Sequence, residues 1–215
     1  MQIVSVLGGP RTPRTLWWLT GILLGLEGLS QLSDLGWFGL IDIRSFLVSY
    51  GAFWDFLFPP GSVDRPLYPG QPYAMLLTHA FVHAGTIHVL MNSVIFLALG
   101  KTISVYYGLQ LTLLTMICGA ASSAVVFGLL ANTNSPMVGA SGVVFALIGF
   151  WLQSSRSELS RLGGQSRSIM SVIISLIVIH VLLLVFMGEQ IAWQAHLGGF
   201  VSGYFLMPWF AKRIA

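Results

Sequence analysis

The chain of 215 residues is 55% hydrophobic and only 8% charged, with a mean hydropathy of +0.82. Soluble domains carry about 25% charged residues, so the composition excludes an ordinary soluble domain and indicates an integral membrane protein. The net charge of +3 comes from basic residues scattered through short loops and tails, which does not indicate a nucleic-acid partner. The lone Cys118 excludes an internal disulfide.

Six apolar segments follow one another along the chain, and a membrane span needs about 17–25 such residues. They cover residues 16–32, 87–107, 109–130, 141–154, 169–187 and 192–210. The pattern predicts an all-α, polytopic membrane protein, with a six-transmembrane-helix bundle formed by a single domain over residues 1–215.

A long connection over residues 33–86 separates the first two segments. It is too polar to span a membrane, yet a disordered linker would not hold so many aromatic residues. We therefore predict an interfacial first loop that contains short helices. Its aromatic residues include Trp37, Phe38, Phe46, Tyr50, Phe53, Trp54, Phe56 and Phe58.

The basic residues predict the orientation, because cytoplasmic loops carry an excess of Lys and Arg. A cytoplasmic N-terminus puts eight basic residues on the cytoplasmic side and leaves only Arg44 and Arg65 on the other. We therefore expect cytoplasmic tails over residues 1–15 and 211–215, an outward-facing loop over 33–86, and a bacterial inner membrane as the location. The eight are Arg11, Arg14, Lys101, Arg156, Arg161, Arg167, Lys212 and Arg213.

The fourth segment is short for a span. Residues 141–154 would make a helix of about 21 Å, against a hydrocarbon core of about 30 Å. The loop before Ser141 must then enter the protein, and irregular backbone at that depth requires burial or access to water. We expect a water-accessible cavity with Ser141 at its floor.

Ser141 is the candidate nucleophile. A lone membrane serine is usually a packing residue, but this one lies between Gly139 and Gly142, where a loop enters a helix. Glycine allows unusual dihedral angles and close approach, and the free N–H groups of a helix start attract an anion. The Ser141 N–H is therefore suited to stabilise an oxyanion formed at its own side chain.

His196 is the candidate base, and small residues surround it. Gly199 and Gly203 share one face of the sixth segment, while Gly142, Ala146 and Gly149 line the fourth. Small faces at such spacing let membrane helices approach closely. That packing would bring His196 within reach of Ser141, so that it can take the serine proton and return it to the leaving group.

His88 and Asn92 are four residues apart and share one helical face. Their ring and amide donors are suited to complete an oxyanion hole, although an interhelical hydrogen-bond pair is the simpler explanation for the two residues alone. His79, His83 and His88 form a cluster that could bind a metal, but they lack the spacing of zinc hydrolases. We expect no metal and no cofactor.

Together these residues resemble the rhomboid family of intramembrane serine proteases. Three stretches carry the resemblance: Thr78 to Asn92, Gly139-Ala140-Ser141-Gly142 continuing to Gly149, and Ala195-His196-Leu197-Gly198-Gly199 with Gly203. The resemblance implies a Ser141–His196 dyad and an oxyanion hole from the Ser141 N–H, His88 and Asn92. It also implies that Phe145 packs beneath the histidine, with Gly139, Gly142, His83 and Gly199 in supporting roles.

The function that follows is hydrolysis of peptide bonds in or near transmembrane segments of other membrane proteins. The partners would be those transmembrane substrates and membrane lipid, and the oligomeric state stays open. Two alternatives remain: an inactive rhomboid-like protein that binds membrane clients, and a transporter lined by His79, His83, His88 and His196. The Gly-Ala-Ser-Gly motif favours the protease, because a proton path does not require it.

Overall fold

The described part of the chain is helical and contains no strand. The computed structural model describes residues 11–61, 66–131, 133, 135–161, 171, 174, 178, 192–206 and 209–210. Seven α-helices have defined bounds there: α1 Arg14–Asp34, α2 Ile43–Gly51, α3 Gln71–Thr78, α4 Thr86–Tyr107, α5 Leu109–Leu130, α6 Ser141–Arg161 and α7 Trp193–Val201. Short 3₁₀ turns lie at Asp55–Leu57 and His79–Phe81.

Five of the six predicted segments coincide with helices. Those over residues 16–32, 87–107 and 109–130 correspond to α1, α4 and α5 within two residues at either end. The fifth, over 169–187, lies outside the described residues except at 171, 174 and 178, as does the tail over 211–215. The first loop holds the short helices α2 and α3, as its aromatic content predicted.

The end predicted for the fourth segment is wrong. α6 continues past Ser154 to Arg161, because polar residues do not stop a helix that extends beyond an apolar environment. Its 21 residues span roughly 31 Å, so its length does not imply a submerged start. The burial of Met137 and Ala140 shows directly that the loop before α6 runs inside the protein.

The sixth segment also differs in detail from a continuous α-helix. α7 ends at Val201 and continues as a π-helical turn over Ser202–Leu206. The hydroxyl of Ser202 donates to the Gly199 carbonyl at 2.8 Å. Such π segments are frequent at functional sites, and this one lies where the chain crosses α6.

Within the described residues, α4 and α5 are long and apolar enough to cross a membrane. The distribution of side chains on α5 suits lipid surroundings. Thr112, Thr115 and Ser123 are fully buried, whereas Ile117 and Leu129 are exposed. Without a hydrophobic force between helices, membrane proteins place small and polar residues at helix contacts. Each of these three hydroxyls donates to a backbone carbonyl three or four residues earlier in the chain.

The first loop is attached to the loop that precedes α6. Phe53 and Met137 exchange backbone hydrogen bonds, each 2.9 Å long, and Phe53 is fully buried. The Asp55 carboxylate accepts the Thr133 N–H at 3.0 Å. The two loops therefore support each other at the start of α6.

Helix α6 crosses α7 and the π-helical turn after it through glycines, as the spacing of small residues predicted. A Cβ atom on Gly199 would collide with the backbone of Gly142, and one on Gly203 would collide with the backbone of Ala146. A Cβ atom on Gly149 would lie 2.5 Å from the Phe200 carbonyl oxygen. The backbones are thus in direct contact over two helical turns.

This contact makes Gly199→Ala a sensitive test of the crossing. The new methyl group would meet backbone atoms, which cannot rotate away, so we expect a loss of about 1–3 kcal/mol in the free energy of unfolding. Displacing α7 by about 1 Å should also reduce turnover roughly 100-fold. Both quantities are measured on one detergent-purified preparation.

Gly25→Ala is the matched control, because Gly25 lies in α1 and a Cβ there meets nothing within 4 Å. It should be neutral or slightly stabilising, since alanine favours a helix over glycine. Equal stability of the two variants would contradict the proposed backbone contact.

Candidate active site

Ser141 is the first residue of α6, and a buried loop leads into it. Gly139 has a φ of +114°, a conformation that L side chains rarely adopt. Its N–H donates to the His79 carbonyl at 2.9 Å. The first N–H groups of a helix have no acceptor within it, so the backbone beside Ser141 presents donors to whatever binds there.

His196 lies on the neighbouring helix, α7, and its ring stacks on Phe145. The ring centroids are 4.3 Å apart and the planes differ by 7°, which is the packing that the resemblance implied. Phe145 is one turn after Ser141, on the same face of α6. A Cβ on Gly142 would lie 3.6 Å from the Ala195 carbonyl oxygen, so the sequence neighbours of Ser141 and His196 are close together.

His88 reaches the same region from α4. A Cβ on Gly139 would lie 2.7 Å from His88 Nε2, so the ring lies against the backbone two residues before Ser141. Asn92 is one turn further along α4 and buried. Among the residues that the structure describes, its amide nitrogen has no hydrogen-bond partner, and a buried unpaired donor is costly unless another group uses it.

His83 holds the last residue before Ser141. The Ala140 N–H donates to His83 Nε2 at 3.3 Å, which requires a neutral ring with its proton on Nδ1. The pKa of His83 is lowered to about 3, chiefly by burial and to a lesser extent by the nearby His88, while the Phe81 carbonyl opposes the shift. His83 is therefore neutral near physiological pH and acts here as a hydrogen-bond acceptor.

His79 is part of the scaffold. Its Nδ1 pairs with the Met75 carbonyl at 2.9 Å, and its Nε2 lies 3.4 Å from the Ser123 hydroxyl. Burial lowers the pKa of His79 to about 4. Among the residues that the structure describes, no three His, Cys, Asp or Glu side chains are grouped to hold a metal ion.

One ionic contact near the site was not predicted. Arg44 of α2 pairs with the buried Glu27 of α1 at 3.1 Å and donates to the His83 carbonyl at 3.2 Å. The sequence held a signal for it, because an ionisable residue inside an apolar helix nearly always has a partner. Arg44 is one of the two basic residues on the side predicted to face outward.

Comparison with known proteins identifies the family. A model of the Rhomboid domain matches residues 69–213. Rhomboid-like protease 1 of Toxoplasma gondii is 29% identical over 179 residues, which are 81% of this chain and 56% of that protein. RHOMBOID-like protein 1 of Arabidopsis thaliana is 31% identical over 132 residues, 61% of this chain and 33% of that protein.

A third relative, Rhomboid-like protease 3 of Toxoplasma gondii, is 27% identical over 157 residues, which are 72% of this chain and 58% of that protein. The chain thus spans about a third to three fifths of the length of these relatives. The family model, however, covers most of the chain, from α3 to beyond α7. The three stretches singled out in the sequence all fall inside it, and the chain therefore belongs to the rhomboid family.

Proposed function

We propose that this chain is an intramembrane serine protease in which Ser141 is the nucleophile and His196 the general base. The observation that carries the proposal is the stacking of His196 on Phe145, one helical turn from Ser141. A histidine beside a serine hydroxyl can take its proton during attack on a carbonyl and then give it to the leaving amine. This step leaves the acyl group bonded to the Ser141 oxygen. Water then attacks the acyl carbonyl while His196 takes a proton from the water, and the proton is returned to the Ser141 oxygen as the acyl group leaves.

The proposed oxyanion hole combines the Ser141 N–H, His88 and Asn92. Two observations support this assignment: the His88 ring lies against Gly139, and the Asn92 amide nitrogen has no hydrogen-bond partner within the described part of the chain. Donors fixed before the reaction stabilise charge that develops only in the transition state. An unpaired buried amide is the group that such a role requires when no substrate is bound.

The proposed substrates are transmembrane segments of other membrane proteins, with small residues at the cut and helix-weakening residues nearby. The two Toxoplasma relatives are named as proteases, and α4 and α5 are apolar enough to span a bilayer. A peptide bond inside a helix is protected, so the segment must unwind locally before attack. We also propose a single domain over residues 1–215 with six spans.

The proposed topology has both termini in the cytoplasm. The bias of eight basic residues against two supports this topology. The test uses an impermeant thiol reagent on intact cells. The reagent should react with a cysteine introduced at Trp37 but not with one introduced at Arg11. The relatives reported above are eukaryotic, and the bacterial inner membrane stays a prediction.

Labelling with a serine-reactive fluorophosphonate tests the activity. The purified chain should be labelled at Ser141, and the label should disappear when a transmembrane substrate competes for the site. An inactive client-binding protein or a histidine-lined transporter would take no label at Ser141, and that result would contradict the proposal.

We expect Asn92→Ala to lower the turnover number about 10-fold to 1,000-fold with little change in the Michaelis constant. The amide would meet charge present only in the transition state, so substrate docking does not use it. Steady-state cleavage of a transmembrane reporter gives both constants.

Ser93→Ala is the matched control, because Ser93 is the next residue of α4 and is also buried, and its hydroxyl likewise lacks a hydrogen-bond partner among the described residues. It should keep its turnover. If Asn92→Ala melted earlier than the wild type but cleaved as fast per folded molecule, Asn92 would have a structural role only.

A further inference from the structure

Arg44 connects three separate parts of the fold. Its Nε donates to Asp34 Oδ2 at 2.7 Å, and its Nη2 and Nη1 donate to the Glu27 carboxylate at 3.1 and 3.3 Å. Nη1 also donates to the His83 carbonyl at 3.2 Å. One guanidinium thus ties α2 of the first loop to α1 and to the segment that precedes α4.

Glu27 is the costly member of this network. It is only 3% exposed, and removing a carboxylate from water is unfavourable unless charges and donors replace the water. Besides Arg44, the Gln31 side-chain amide donates to Glu27 at 2.7 Å. Burial acts to lower the pKa of Arg44, but the hydrogen bonds and the charge attraction to Glu27 and Asp34 outweigh it, and the net shift of the pKa is upward, so the Arg44 guanidinium is charged.

The network continues to the backbone of the nucleophile through a single residue. The backbone carbonyl of His83 accepts a hydrogen bond from Arg44, and the His83 ring accepts one from the N–H of Ala140. Ala140 is the residue that precedes Ser141 in the chain. The same ring packs edge-on against His88, with centroids 5.0 Å apart. The position of His83 therefore affects both the entry into α6 and one proposed oxyanion donor.

We propose that Arg44, held by Glu27, is a positioning residue for the active site, which fixes the Ala140–Ser141 backbone and the His88 ring through His83. The inference rests on the proposed function of Ser141. Arg44 does not touch the reacting atoms. Its contribution is to keep the site in its reactive arrangement before substrate binds, which is the condition for effective electrostatic stabilisation.

Labelling kinetics with a fluorophosphonate separate positioning from folding. The rate constant reports the geometry of the site, whereas the final labelled fraction reports how many molecules are folded. We expect Arg44→Met to lower the rate constant about 10-fold to 100-fold while the final labelled fraction stays at the wild-type level. Arg44→Lys should be intermediate, because an ammonium cannot serve three acceptors in the fixed geometry of a guanidinium.

Asp34→Asn is the matched control. Asp34 also pairs with Arg44, but its side chain is 41% exposed and exposed ion pairs contribute little. Its rate constant should stay within about 3-fold of wild type. A wild-type rate constant in Arg44→Met overturns the inference, and so does a reduced labelled fraction with an unchanged rate constant.

If Arg44→Met does not fold, Glu27→Gln provides the test, because it removes the charge and retains an amide that can hydrogen-bond. A rate constant lowered at least 3-fold supports the inference, and a wild-type value overturns it. Failure of the wild-type chain to take label at Ser141 is a different outcome. It overturns the proposed nucleophile itself, and with it the inference.

Discussion

Ser141→Ala is expected to reduce cleavage of a transmembrane reporter by about 10⁴-fold or more, because the variant lacks the atom that attacks the carbonyl. Ser141 begins α6 and is bonded to Ala140, whose N–H is held by His83. Loss of one hydroxyl there leaves the backbone contacts in place. We therefore expect the melting temperature to stay within a few degrees of the wild-type value.

The measurement is reporter cleavage by purified variant in lipid bilayers, with thermal unfolding on the same sample. Ser157→Ala is the control, because Ser157 lies on the same helix, is exposed and donates its hydroxyl to the Gln153 carbonyl one turn earlier. It should cleave at the wild-type rate. Cleavage by pure Ser141→Ala at a substantial fraction of that rate would exclude a serine nucleophile at this position.

His196→Ala should be nearly as inactive as Ser141→Ala, because base and nucleophile act as a unit and their losses do not add. The double variant should be no slower than either single variant. The structural basis is the stack of His196 on Phe145, which fixes the ring on the side of α6 that carries Ser141. The variant also loses that ring contact, so a modest decrease in stability is expected with the loss of rate.

Reporter cleavage is measured for the two single variants and the double variant, which together with the wild type form a double-mutant cycle. Leu197→Ala is the control on the same helix, because Leu197 is the next residue and is 44% exposed. Wild-type turnover in His196→Ala would show that another group is the base, and His88 would be the first candidate to examine, because its ring lies against Gly139.

The positions of the helices could be predicted from the sequence because lipid imposes a simple constraint. Every backbone group in a bilayer must be satisfied internally, so a long apolar run becomes a helix. Residues 87–107 and 109–130 coincide with α4 and α5 almost to the residue. The end of α6 could not be found in this way, because the polar residues after Ser154 extend the helix to Arg161 without an apolar signal.

Part of the candidate site could also be predicted from the sequence. Glycine at positions 142, 199 and 203 has no side chain, so its spacing alone predicts which helices can touch, and the α6–α7 crossing confirms that prediction. The positive φ of Gly139 likewise agrees with a tight entry into α6. These features depend on residues that have no side chain, and the sequence itself shows where those residues are.

Only the tertiary structure decided which polar groups meet. His83, His79 and Glu27 have long-range partners in Ala140, Ser123 and Arg44, separated from them by 57, 44 and 17 residues. Each histidine can donate or accept in either ring position, so composition and spacing leave its partner open. The partner is fixed by the relative placement of whole helices, and that placement follows from packing rather than from any local pattern.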